Sequence, residues 1–139
     1  MRRNPVVKEI SDRLIPVIVL FGLYVQFHGD FGPGGGFQAG VIVAAGVVLY
    51  TLVYGVARTQ ALIPPSAVRR GIALGLLLYA AVGFACILRG GRFLEYGVLG
   101  ATQLGGQHLG ILLIELGVGI TVAAVIVAVF YAFADQRAE

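Results

Sequence analysis

Between residues 108 and 133 the chain reads HLGILLIELGVGITVAAVIVAVFYAF, an apolar run interrupted by a single carboxylate, Glu115. A helix needs about 20 mostly apolar residues to cross the hydrocarbon core of a bilayer, and this run exceeds that length. Three further apolar stretches precede it, at about 11–28, 37–57 and 71–88. Residues 1–139 are therefore expected to form a single membrane domain, an all-α integral membrane protein with four transmembrane helices. The first stretch is the shortest, because only Leu14–Phe27 is free of charge. It spans if Asp12 and Arg13 sit at headgroup level and Arg13 snorkels. Pro16 is expected in the first turn of that helix, where a missing N–H costs nothing.

Composition supports the same class. Hydrophobic residues make up 58% of the chain and charged residues 12%, and the mean hydropathy is +0.91. Ordinary globular domains carry about 25% charged residues, so too little polar surface is available to cover a soluble particle. The 21 glycines fit membrane helices, where they let backbones approach. A net charge of +3 does not imply a nucleic-acid partner, because the basic residues flank apolar runs and form no patch with aromatics. Cys86 is the only cysteine and lies in an apolar run, which excludes a disulfide framework and suits a small packing residue. No His and carboxylate spacing suits a metal, and no nucleophile triad is present. No metal, cofactor or enzymatic activity is expected. Arg2, Arg3 and Lys8 ahead of an apolar run resemble a signal peptide, but no small-x-small cleavage site follows, so the first helix is expected to be retained.

The distribution of basic residues predicts orientation. Arg2, Arg3, Lys8, Arg13, Arg58, Arg69, Arg70 and Arg137 fall on one side of a four-helix arrangement, and only Arg89 and Arg92 on the other. The positive-inside rule places both termini in the cytoplasm and the first glycine-rich loop outside. Pro64 and Pro65 punctuate the inner connection, with Ser66 as the expected N-cap of the third helix. The second outer loop, about 89–107, either lies along the interface or dips back. Small residues recur every four positions at Gly36, Gly40 and Ala44, and again at Gly71 and Gly75 with Gly83 further on, which predicts close helix contacts. The segments GGFQAG (35–40) and GGQHLG (105–110) share a pattern ahead of an apolar run, consistent with two parallel repeats of a helix pair.

Two places carry candidate chemistry. The segment HGDFGPGGGFQAG (28–40) holds too many glycines for a stable helix. It is either a turn in water or a loop packed into a protein interior above the second helix, since bare backbone is not tolerated in lipid. Its partial match to a dinucleotide-binding pattern lacks the flanking strand, and no Gly-Lys-Ser/Thr follows for a phosphate loop. Glu115 lies about 10 Å along the helix from His108 at 1.5 Å per residue, on nearly the same face. An intramembrane carboxylate costs a few kcal/mol, and such groups mark proton or ion routes by default; the alternative is a structural carboxylate hydrogen-bonded to a neighbouring helix. His28 and Asp30 stand at the outer mouth of the first helix, where titratable groups either pass ions or are simply solvated. Glu115, His108, His28 and Asp30 are the ion-pathway candidates.

The segment PGGGFQAG (33–40) resembles the PGGGFxGG signature of the MnhB/MrpB subunit of multisubunit sodium/proton antiporters. The basic start, His28-Gly29 and about four helices in so short a chain are similar to that family too, and the resemblance extends over essentially the whole length. Ala39 stands where the family usually has a second glycine, and alanine is small enough to keep the packing role. The resemblance implies a small subunit of a bacterial or archaeal plasma-membrane complex that exchanges Na⁺ for protons. It implies a role in assembly alongside larger subunits that move protons, with a share in lining the cation route. It further implies that Pro33, Gly34, Gly35, Gly36, Phe37, Gln38 and Gly40 shape a loop packed against a partner subunit, with Phe37 filling a pocket. Two other settings stay open: a related subunit of a membrane-bound hydrogenase or other redox-driven pump, and an independent homo-oligomeric channel or exporter.

Overall fold

Asn4 sets where the first helix begins. Its Oδ1 accepts hydrogen bonds from the N–H groups of Val6 at 3.0 Å and Val7 at 3.4 Å, and Pro5 fills the first helical position. The computed structural model describes residues 4–29, 31–32 and 34–136, and α1 runs Pro5–Phe27. The helix thus starts ahead of the apolar stretch, and Pro16 lies in its interior instead of its first turn. There the ring removes the bond to the Asp12 carbonyl, a loss that membrane helices tolerate. Asp30, Pro33, Arg2, Arg3 and Arg137 lie outside the described residues.

The other boundaries follow glycine and proline chemistry. Helix α2 (Gly36–Tyr54) opens directly after Gly35, whose φ of 139° favours glycine. It closes at Gly55 (φ 96°), short of residue 57, and a separate short helix α3 (Val56–Leu62) follows. Helix α4 (Pro65–Leu88) begins before residue 71. Pro64 stands in the N-cap position and Pro65 in the first turn, so Ser66 lies inside the helix and does not cap it. Pro65 forces the residue before it to be extended and itself fits the start of a helix, which explains the shift. Helix α5 (Gln103–Gln136) also starts early, with the Thr102 hydroxyl accepting from the Gly105 N–H at 3.1 Å. Helices α1, α2, α4 and α5 are each long and apolar enough to cross a membrane.

Helix α2 packs on α1 and α5, and α5 packs on α2 and α4, giving a contact order α1–α2–α5–α4. Small residues make these contacts. Gly36, Gly40 and Ala44 are buried on α2, and Gly117 and Gly119 on α5. A Cβ placed on Gly75 of α4 would stand 2.6 Å from the Gly117 carbonyl oxygen. Large apolar side chains point outward instead, as with Leu20 (68% exposed) and Phe133 (66%). Lipid is as apolar as leucine, so burying leucine between helices gains little, and close backbone approach is what holds such a bundle.

At the end away from the glycine loop, Ala44, Val68, Val127 and Tyr131 form a buried cluster, and the Tyr131 hydroxyl donates to the Ile63 carbonyl at 3.0 Å. Nearby the Tyr54 hydroxyl donates to Asp12, with Lys8 and Arg58 at 5.5 and 5.0 Å from the Tyr54 ring centre. At the other end the loop after α4 folds back on the protein. Phe93 seats on Gly83 and meets Phe84 edge-to-face at 6.1 Å, and a 3₁₀ turn (Tyr96–Leu99) sets Tyr96 against Gly110. The two glycine motifs therefore have different neighbours: Gly36 and Gly40 meet α5, whereas Gly106 and Gly110 meet their own preceding loop.

Candidate functional site

Helix α1 ends in a tight turn. The His28 N–H donates to the Val25 carbonyl at 3.3 Å and the Phe31 N–H to the His28 carbonyl at 3.0 Å. The turn carries Gly29 over α5, and the chain then returns through Gly34 and Gly35 into α2. Gly34 rests on Val25, at 3.2 Å from its Cγ1 to the position of a Cβ. Gly35 and Gly36, at the end of this segment, are buried, whereas Phe31 and Phe37 are exposed.

The object packed beneath the loop is Glu115. A Cβ on Gly29 would collide with both carboxylate oxygens and lie 2.8 Å from Cδ. One on Gly35 would stand 3.1 Å from Oε1. One on Gly36 would run into the Glu115 carbonyl oxygen and lie 2.8 Å from its carbon. Three glycines from one loop thus surround one residue of α5, the first by side chain and the last by backbone. Glycine is required here for close approach, because any side chain would occupy the volume that the carboxylate fills. One turn further along the same crossing, a Cβ on Gly40 would lie 2.7 Å from the Gly119 carbonyl oxygen.

The remaining candidates fall at different distances from this centre. Glu115 itself is half-buried. His28 precedes Gly29, but its ring stacks on Tyr24 at 5.0 Å and tilts against Phe31 at 6.0 Å, extending an aromatic row that begins at Phe21. His108 is exposed, two turns before Glu115 on α5. The Gln38 Oε1 lies 3.6 Å from the Cβ position of Gly35, on the rim of the loop. Phe37 is 60% exposed and points away from the chain. Asp30 and Pro33 are outside the described residues. Among the described residues no group of three His, Cys, Asp or Glu side chains could hold a metal ion.

Sequence reading overlooked Gln26. It is buried one turn before the loop, with its Oε1 against Gly119 of α5. The available signal was an amide inside the apolar run of α1, which the count of charges passes over. The chemistry open to the whole arrangement is limited to what a carboxylate and amides do: exchange a proton, accept hydrogen bonds, or ligate a monovalent cation through oxygen.

A family model described as a domain related to the MnhB subunit of Na⁺/H⁺ antiporter matches residues 6–128. Among curated proteins, the B-type Na⁺/H⁺ antiporter subunit of Alkalihalophilus pseudofirmus is 32% identical over 133 residues, covering 88% of this chain and 92% of that protein. Its counterpart in Bacillus subtilis, named in the same way, is 29% identical over 132 residues, covering 87% and 92%. These relatives are named for their place in a transporter, not for catalysis.

Proposed function

This chain belongs to the MnhB family of Na⁺/H⁺ antiporter subunits, and from that membership we propose that it is a small multi-pass subunit of a cation/proton antiporter whose Glu115 carboxylate lies on the ion route. The observation that carries the site is the closure of Gly29, Gly35 and Gly36 over Glu115. A carboxylate at membrane depth is costly, and a loop built to admit it at close range is an arrangement that a purely structural helix contact does not need. Backbone dipoles and restricted water around the carboxylate suit an ion that is taken up and released without being trapped.

The subunit role has separate support. The described helices pack in the order α1–α2–α5–α4, with no extensive contact between α1 and α4, an open arrangement that suits part of a larger assembly. Exposed Phe37 beside the loop, and the aromatic row Phe21, Tyr24, His28 and Phe31, give a partner subunit apolar surface to cover. We take the complex to lie in a prokaryotic plasma membrane with both termini of this chain in the cytoplasm, a reading supported by the bacterial relatives and by the distribution of basic residues. A Gln60→Cys variant tests that orientation: it is expected to react with a thiol reagent from the cytoplasmic side only. Native Cys86 is fully buried and stays silent in the assay. Labelling of residue 60 from outside would invert the topology.

The function is tested by antiport in everted vesicles. The chain is expected to co-purify with larger membrane subunits in mild detergent. The Glu115→Gln complex is expected to assemble and to lose Na⁺-dependent proton exchange at least about tenfold, a factor that needs only about 1.4 kcal/mol of lost stabilisation. Wild-type exchange by that complex would remove Glu115 from the route. A chain purified without partners that exchanges Na⁺ in liposomes would defeat the subunit reading.

A further inference from the structure

Helices α4 and α5 leave a slot between them that opens on the surface of the bundle and measures about 330 Å³. On α4 it is lined by Leu78, Ala81, Ala85 and Arg89, which follow one another at spacings of three and four and so share one helix face. Leu109 and Leu113 line it from α5. The two alanines leave the depression, and the leucines wall it. Leu78 and Arg89 stand about 16 Å apart along the axis at 1.5 Å per residue. Half of a hydrocarbon core of about 30 Å has nearly that depth. Since Arg89 caps the end of α4, the slot runs from headgroup level to the middle of the bilayer.

The mouth of this apolar slot carries a cation. Arg89 is exposed, its Nη1 donates to the Leu99 carbonyl at 3.2 Å, and it forms no ion pair with any described residue. The other donors of the guanidinium are left for an acceptor from outside the chain. Glu95, the acid of the following loop, accepts from the Arg92 N–H at 2.7 Å instead. A guanidinium at headgroup level above hydrocarbon walls of one leaflet's depth matches an amphiphile with an anionic head. We propose that the slot holds one acyl chain of an anionic phospholipid whose phosphate accepts hydrogen bonds from Arg89. A helix of a partner subunit, about 10–12 Å across with its side chains, would bridge the mouth and leave the alanine floor empty. Hydrocarbon gains little by leaving the bilayer for an equally apolar slot, so selection among lipids rests on Arg89. The site is separate from Glu115, and its failure would leave the route reading untouched.

The test is photocrosslinking of the assembled complex in phosphatidylcholine nanodiscs that contain a small share of probe lipid. The probe is phosphatidylglycerol with a diazirine at the end of one acyl chain, and the control is phosphatidylcholine with the same chain. Mass spectrometry is expected to find phosphatidylglycerol adducts on Leu78 and Leu113, at the deep end of the slot. They should exceed the phosphatidylcholine adducts about tenfold, the factor set by a hydrogen bond to a charged group. Arg89→Gln is expected to erase that preference, and Arg89→Lys, which keeps the charge, to retain most of it. Ala85→Leu fills the floor without touching the guanidinium, is expected to remove the adduct at Leu113, and decides the matter where the Arg89 variants do not assemble. Equal labelling by the two lipids in the wild type would reduce the slot to ordinary lipid contact and overturn the proposal. Absence of label from both lipids, as a partner helix over the slot would produce, overturns it too. So does an undiminished preference in Arg89→Gln, or full labelling of Leu113 in Ala85→Leu.

Discussion

Replacing Gly36 with alanine is expected to leave little assembled complex in the membrane, from a single added methyl group. That methyl would meet the backbone of α5: the Glu115 carbonyl oxygen inside contact distance, its carbon at 2.8 Å and the Glu115 Cα at 3.0 Å. None of these atoms can rotate away, so the two helices must part. Overpacking typically costs 1–3 kcal/mol and more where no rotamer relieves it, against a total stability of about 5–15 kcal/mol. The separation also lifts the loop from the Glu115 side chain. Gly83→Ala is the informative contrast, because its methyl would meet the Phe93 ring, a side chain on a loop that can swing aside. Its expected cost is below about 1 kcal/mol, within the range of tolerated core changes. Native gels of membrane extracts and thermal unfolding of the purified complex check both. Wild-type assembly by Gly36→Ala would mean that α2 and α5 do not cross at Glu115.

Apolar length made the four spans legible, because the requirement of about 20 residues is a property of the bilayer and not of this chain. Helix starts were not legible from hydropathy. Asn4 and Pro5 extend α1 into polar sequence, and Pro64 and Pro65 start α4 ahead of its apolar run, since capping and proline geometry act on the backbone regardless of side-chain polarity. Gly55 likewise separates α2 from α3 through its φ alone. The same gap governs the site. Glu115 stood out as a carboxylate in an apolar run, and the glycine density of 29–36 stood out as excess, yet nothing local joins them. Their meeting depends on the α2–α5 crossing, a long-range contact. Gln26 escaped notice because a neutral amide barely alters an apolar window, although burial makes it costly. His28 resembled a mouth residue from its position, and only the fold shows its ring stacked on Tyr24.

Gly29→Ala should abolish most exchange while leaving the complex assembled, and shortening the carboxylate should restore it. The added methyl would occupy the space of both Glu115 oxygens, which end a flexible side chain, so the helices need not move as they must for Gly36. The carboxylate is pushed out from under the loop, and its packing against Gly35, where a Cβ would stand 3.1 Å from Oε1, is lost with it. Displacement of a reacting group by about 1 Å can lower a rate on the order of a hundredfold, which is the loss expected here. Glu115→Asp alone withdraws the carboxylate from the loop by one methylene and is expected to weaken exchange more mildly. Combined, the two changes fit, since the shorter side chain vacates the volume that the methyl enters. Activity of the double variant should exceed that of Gly29→Ala by at least about tenfold, an interaction of about 1.4 kcal/mol, well within what contacting residues show in such cycles. Vesicle exchange rates for the wild type and the three variants, normalised to assembled complex, decide it. If the two defects simply multiply, Gly29 and Glu115 act independently, and the loop is not what holds the carboxylate in place.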